Sequence, residues 1–230
     1  MRILLAPMEG VVDHLVRDLL TRVGGIDQCV TEFVRVTEQR LPRRVFLRLA
    51  PEITSGNKTA TGTPVKLQLL GGNAAALADN ARRAVRAGSN AIDLNFGCPA
   101  KTVNKSDGGA CLLREPERIY QIVRAVRQAV PDHISVSAKI RLGFDYREGY
   151  LDTARAAAEG GASELVVHAR SKADGYKPPA YWECINEIRN SVDISVVANG
   201  DIWTLADYLL CRQRSGCRDV MIGRGLLACP

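Results

Sequence analysis

Ala91-Ile92-Asp93-Leu94-Asn95 runs straight into Phe96-Gly97-Cys98-Pro99. The first five residues alternate apolar and polar and read as a strand, and the glycine and proline that follow read as its turn. Upstream, the pattern over 74–87 is helical and stops at Gly88. Downstream, a second helical pattern covers 115–129 and gives way to a strand-like run over 134–140. A helix between two short β-branched strands is the repeating unit of a parallel sheet.

The unit recurs along the whole chain. Strands are expected at 2–6, 29–33, 64–70, 91–95, 134–140, 164–168, 194–198 and 219–222. Helical patterns cover 13–23, 74–87, 115–129, 150–159, 181–191 and 204–214, with a weaker one at 40–49. Gly24, Gly88 and Gly160 sit where left-handed helix caps are expected. Eight βα units predict an α/β fold, a (β/α)8 TIM barrel forming one catalytic domain over residues 1–230. The eighth strand ends near Gly223 and the sequence stops at Pro230. No helix is expected after strand eight, so the chain reads as a barrel truncated there.

Hydrophobic residues make up 46% of the 230 and charged residues 24%, enough for an ordinary core and too apolar for disorder. The first apolar run, Ile3 to Ala6, is too short for a signal peptide, and no later run reaches membrane-spanning length. The chain reads as a cytoplasmic monomer. Lys plus Arg number 31 against 25 Asp plus Glu, a net charge of +6, which permits a polyanionic partner without requiring one. Seven cysteines, with no Cys-x-x-Cys pair, argue against a disulfide framework, a zinc ribbon and a cysteine-ligated iron–sulfur cluster; no metal site is expected.

Barrel chemistry gathers at the carboxyl ends of the strands, and polar residues gather there in this sequence. Strand one ends in Pro7-Met8-Glu9, strand two leads to Glu32 and Arg35, strand three carries Gln68, and strand four leads to Asn95 and Cys98. Strand five alternates Ser135, Ser137, Lys139 and Arg141 against Val136, Ala138 and Ile140. Strand six alternates Glu164, Val166, His168 and Arg170 against Leu165, Val167 and Ala169. The apolar faces fit the helices, so the polar ones point into the barrel. A buried Lys139 needs a partner, either a bound anion or electron-rich ring, or a barrel carboxylate such as Asp93. His168 reads as a ligand contact or a hydrogen-bonded structural residue. Asn199-Gly200-Asp201 and Gly223-Arg224-Gly225 fall after strands seven and eight, where barrels commonly hold a phosphate.

Cys98 has several roles open to it. A nucleophile needs a neighbouring base, a metal ligand needs partners at ligand spacing, and a general acid needs only to remain a thiol at neutral pH. A thiol donor beside a hydride source suits reduction of an activated C=C bond. A purely structural cysteine is the fourth reading.

Ala6-Pro7-Met8-Glu9-Gly10, Gln68, Asn95-Phe96-Gly97-Cys98-Pro99, Lys139-Ile140-Arg141, His168-Ala169-Arg170, Asn199-Gly200-Asp201-Ile202 and Gly223-Arg224-Gly225 occur in this order over almost the whole chain. As a set they resemble the tRNA-dihydrouridine synthases, flavoenzymes that reduce uridine in tRNA. With Thr31-Glu32-Phe33-Val34-Arg35-Val36 near the front, the pattern is most similar to the bacterial C subfamily, which acts on the position-16 uridine of the D-loop. The resemblance implies FMN in the barrel mouth and NADPH as reductant. It implies that Pro7, Met8 and Glu9 line the flavin, that Gln68 and Lys139 reach its polar edge, and that His168 lies close to it. Asn199, Gly200, Asp201, Gly223 and Arg224 would hold its phosphate arm. Cys98 would give a proton to C5 of the uracil while C6 receives hydride. Arg35, Asn95, Arg141 and Tyr176 would contact the flipped base or nearby tRNA. Members of the family also carry a helical domain after the barrel, which the sequence reading expects to be absent here. The loop at Lys105-Ser106-Asp107-Gly108-Gly109 departs from the family's small residues. A small-molecule pyrimidine flavoenzyme, similar to the dihydroorotate dehydrogenases, and an inactive truncated remnant are the competing readings.

Overall fold

A computed structural model describes residues 1–230. Eight parallel strands close into a barrel in chain order. They are β1 (Ile3–Leu5), β2 (Gln28–Arg35), β3 (Val65–Leu70), β4 (Ala91–Asn95), β5 (Ser135–Arg141), β6 (Glu164–His168), β7 (Ser195–Asn199) and β8 (Asp219–Ile222). The helices around it are α1 (His14–Val23), α2 (Arg43–Leu49), α3 (Ala74–Ala87), α4 (Lys101–Lys105), α5 (Pro116–Ala129), α6 (Tyr150–Glu159), α7 (Trp182–Arg189), α8 (Leu205–Ser215) and α9 (Arg224–Ala228).

The strand faces divide as the alternation requires. Leu69, Ile92, Leu94, Val136, Ala138, Ile140, Leu165 and Val167 join the large core between strands and helices. Leu4, Ala6, Val30, Val166, Val197 and Met221 form a separate small cluster, contributed by strands on one side of the barrel. Near the amino ends of the strands the inward-facing charged groups are paired, since an unpaired buried charge is costly. Lys66 Nζ lies 2.7 Å from Glu164 Oε1, and Arg2 also bonds Glu164. Burial works against the Glu164 carboxylate, but Lys66 and Arg2 hold its pKa below the usual value. Arg2 Nε reaches Asp219 Oδ2 at 2.7 Å. This knot lies beside the seam that closes the barrel, where Ile3, Leu4 and Leu5 pair with Val220, Met221 and Ile222.

Several boundaries differ from the sequence reading. β2 runs on to Arg35 because its pairing with β3 shifts register between Val30 and Phe33. A five-residue helix, α9, follows β8. Gly88 is a left-handed cap, with φ 115° and ψ 5°. Gly24 has positive φ but extended ψ, and Gly160 stays right-handed. At Gly160 the reason for glycine is space, because a Cβ there would lie 2.9 Å from Tyr120 O. No helix is long and apolar enough to cross a membrane.

Candidate active site

A cavity of about 400 Å³ opens at the carboxyl ends of the strands, a size typical of small-molecule sites. All the site residues named from the sequence line it except Arg35. Arg35 sits on the rim, its guanidinium donating to Thr102 O at 3.2 Å. The sequence reading gave no site role to Glu32, Phe33, Pro99 or Ala100, which also line the cavity. The register shift in β2 accounts for the first two: in a regular strand, neighbours face opposite ways, whereas here both Glu32 and Phe33 reach the cavity. Glu32 accepts the Gly10 N–H and ties the first loop to the second.

The floor is a run of hydrogen bonds. Ser137 Oγ and Gln68 Nε2 donate to the two oxygens of Asp93, at 2.6 and 2.7 Å. Asn95 Nδ2 donates to Gln68 Oε1 at 2.8 Å. Asn95 Oδ1 accepts the backbone N–H groups of Gly97 and Cys98, both at 2.9 Å. Burial raises the Asp93 pKa, opposed by its bonds to Ser137 and Gln68. With its oxygens so occupied, Asp93 is not the direct partner of Lys139. Lys139 Nζ instead donates to Asn199 Oδ1 at 2.6 Å. Burial, reinforced by Arg141, pulls the Lys139 pKa down to about 7. That ammonium is poised for a negative or electron-rich partner.

The loop bearing Cys98 is held from both sides. Arg141 Nε donates to Gly97 O at 2.8 Å, and its Nη1 donates to Ser171 O and Gly175 O, each at 3.1 Å. The Cys98 carbonyl accepts from Ala110 N–H at 3.1 Å and from Asn104 Nδ2 at 3.1 Å. Gly109 makes that approach possible, since with φ +68° a Cβ would stand 2.9 Å from Cys98 O. Burial pushes the Cys98 thiol pKa up, against the Ala100 N–H and the charges of Arg141 and Arg35. The thiol is therefore protonated at neutral pH, which suits a proton donor and not a nucleophile.

The opposite wall is cationic. Arg170 is fully buried and bonds Asp201, and Arg224 Nη2 lies 3.7 Å from Asp201 Oδ1. The Arg224 guanidinium stacks over the rings of Tyr176 and Trp203, 5.0 and 4.9 Å from their centroids. Burial, with Arg141, Lys139, Arg170 and Arg224 around it, holds His168 well below its ordinary pKa. His168 Nδ1 and Arg170 Nη1 are buried without a hydrogen-bond partner. Gly200 adopts φ +121°, open only to glycine at little cost. The unpartnered Arg170 Nη1 and the glycine backbone at Gly200 fit an anionic group at this wall. The donor floor around Lys139 fits an electron-rich ring, so the residues present fit FMN.

A closed parallel barrel with a polar cavity at its carboxyl ends defines a TIM-barrel enzyme architecture. Solved structures share the fold: an aldolase, QR15, at TM-score 0.62 and 13% identity, covering 98% of this chain and 90% of that one. Another is FabK from Thermotoga maritima, at TM-score 0.60 and 13% identity, covering 99% of this chain and 59% of that one. The model of the family described as dihydrouridine synthase (Dus) matches residues 4–230. A protein of Aquipseudomonas alcaligenes named tRNA-dihydrouridine(16) synthase is 58% identical over 230 residues, 100% of this chain and 73% of the relative. One of Neisseria meningitidis serogroup B with the same name is 56% identical over 229 residues, 69% of its length. The chain belongs to the dihydrouridine synthase family.

Proposed function

We propose that this chain reduces the C5=C6 bond of a uridine in the D-loop of tRNA, at position 16, giving 5,6-dihydrouridine. The observation that carries the reading is the half-buried Cys98 thiol, its pKa raised, held at the mouth of a cavity whose floor offers donors and a Lys139 bonded to no carboxylate. Pro7, Met8, Glu9, Gln68, Lys139 and His168 would hold the flavin ring, and Asn199, Gly200, Asp201, Gly223 and Arg224 its phosphate arm. When bound, FMN would supply hydride chemistry at C6, with NADPH as the reductant. Cys98 gives its proton to C5, so hydride and proton together saturate the bond. Lys139 favours negative charge at the electron-rich edge. Arg141 keeps the Cys98 loop in place through Gly97 and, with Asn95 and Tyr176, lines the space for the base.

A uridine must leave its stacked position to enter such a cavity, at a cost of about a few kcal/mol. Phosphate contacts offset this cost. Between residues 35 and 48 there are five arginines against one glutamate, four of the chain's six net positive charges. Arg43, Arg44 and Arg48 on α2 are exposed. Arg35 at the start of this segment stands on the cavity rim and would meet the tRNA first.

The deciding experiment mixes FMN-loaded, NADPH-reduced protein with unmodified tRNA or with orotate. Flavin reoxidation by tRNA, with dihydrouridine mapped to position 16, is the expected result. Reoxidation by orotate alone would assign the site to small-molecule pyrimidine chemistry.

A further inference from the structure

We propose that Asp93 is a positioning residue for Cys98, acting through the side-chain amides of Gln68 and Asn95 without touching the cysteine itself. Two donors at the start of this chain of bonds cannot be turned round. The backbone N–H groups of Gly97 and Cys98 both point at Asn95 Oδ1, each at 2.9 Å. That oxygen is thereby fixed, so the other end of the Asn95 amide is its NH2. The NH2 donates to Gln68 at 2.8 Å, which makes the accepting atom Gln68 Oε1. The remaining end of Gln68 is again an NH2, and it donates to Asp93 at 2.7 Å. The chain can end only on an acceptor. An aspartate carboxylate is acceptor-only, and its second oxygen is taken by the Ser137 hydroxyl at 2.6 Å.

Asp93 is buried, as are Gln68, Asn95 and Ser137, so no bulk water competes for these bonds. Reversing the two amides would turn the NH2 of Asn95 towards two N–H donors and leave both without an acceptor, which a buried site resists. The same chain determines what the floor offers. Each amide spends one N–H on its neighbour and keeps a second. Both residues line the cavity, so with Lys139 Nζ they form a surface of donors. Such a floor takes a ligand edge rich in acceptor oxygens and nitrogens and rejects one rich in donors.

The inference rests on the reading of Cys98 as the reacting group, but its test needs neither flavin turnover nor tRNA. The pH dependence of iodoacetamide alkylation is followed at each cysteine by peptide mass spectrometry. Asp93→Leu removes the terminal acceptor. Its Cys98 alkylation is expected to speed up by about fivefold or more at pH 8, with the midpoint moving down towards that of an ordinary thiol. Buried Cys29 and Cys211 stay protected. Asp93→Asn retains an oxygen for Gln68, while the Ser137 hydroxyl can rotate, and is expected to restore the parent profile within about twofold. Gln68→Leu cuts the chain one link higher and should reproduce the Asp93→Leu shift, with no further shift in the double variant. It also carries the test if Asp93→Leu does not fold. An unchanged Cys98 profile in folded Asp93→Leu or Gln68→Leu, additive shifts in the double variant, or Cys29 and Cys211 opening together with Cys98 would overturn the proposal. Absence of uridine reduction by the parent protein, with the expected alkylation shifts observed in the variants, would count against the proposed function alone.

Discussion

At Cys98 the local environment chooses among chemistries that residue type leaves open. A cysteine beside glycine and proline can attack, bind a metal or give a proton. Burial raises its pKa, and only the last role uses the protonated form. Cys98→Ala should therefore keep bound flavin and its reduction by NADPH, while dihydrouridine formation falls by about 10²–10⁴-fold, the usual worth of a general acid. Stopped-flow absorbance and nucleoside analysis separate the two half-reactions. Lys139 shows the opposite balance between stability and use. Its folded pKa is about 7 against 10.5 for an ordinary lysine. Between those values the unfolded chain binds the extra proton, so the stability of the ligand-free protein rises with pH through this window. Lys139→Met removes that penalty. Its melting temperature at pH 6 should exceed the parent's, and its retention of FMN should fall; a lower melting temperature at that pH would contradict this account.

At the scale of elements, what the sequence discloses depends on whether a segment is shaped by its own pattern or by its neighbours. β4, β6 and β8 begin and end where alternation says they should, because buried strands between turn residues carry their own limits. α4 is not legible in the same way. It has five residues and no side-chain cap, and the bonds from Asn104 to the Cys98 and Ala100 carbonyls hold it in place. The full length of β2 is hidden because a register shift leaves no periodic mark, and the placement of Phe33 is hidden with it, whereas Glu32 is legible among the polar residues at that strand's end. Arg35 is legible as a residue near the site, but its own bond to Thr102 holds it at the rim. Packing of α1 against the turn after α2 is equally hidden. Arg17 is fully buried and grips Glu52 at 2.8 Å. Arg17→Met strands the Glu52 carboxylate and should cost about 3–5 kcal/mol in urea unfolding. Arg22→Ala, which breaks an exposed pair with Asp18, should leave the urea midpoint nearly unchanged.

Over the whole molecule, charge is distributed far less evenly than the modest net value suggests. The arginine-rich stretch of residues 35–48 holds most of the excess, beside the second strand's mouth. Replacing Arg43 and Arg44 with glutamate should weaken tRNA binding and flatten its salt dependence, by about one unit of slope for each phosphate no longer neutralised. Flavin content and NADPH oxidation should not change. Filter binding across a salt series reads the effect, and an unaltered slope would remove these two residues from the tRNA footprint.

The seam between β1 and β8 has a consequence for how the protein comes into being. The Arg2 backbone N–H bonds Asp219, 217 residues away, and β1 otherwise pairs only with β2 and β8. Ribosomes emit about 5–20 residues per second, so the first strand waits about 10–40 s for its last neighbour to be made. During that wait β1 exposes an unpaired edge, a template for association with other chains. Its brevity, three residues, limits that hazard during synthesis.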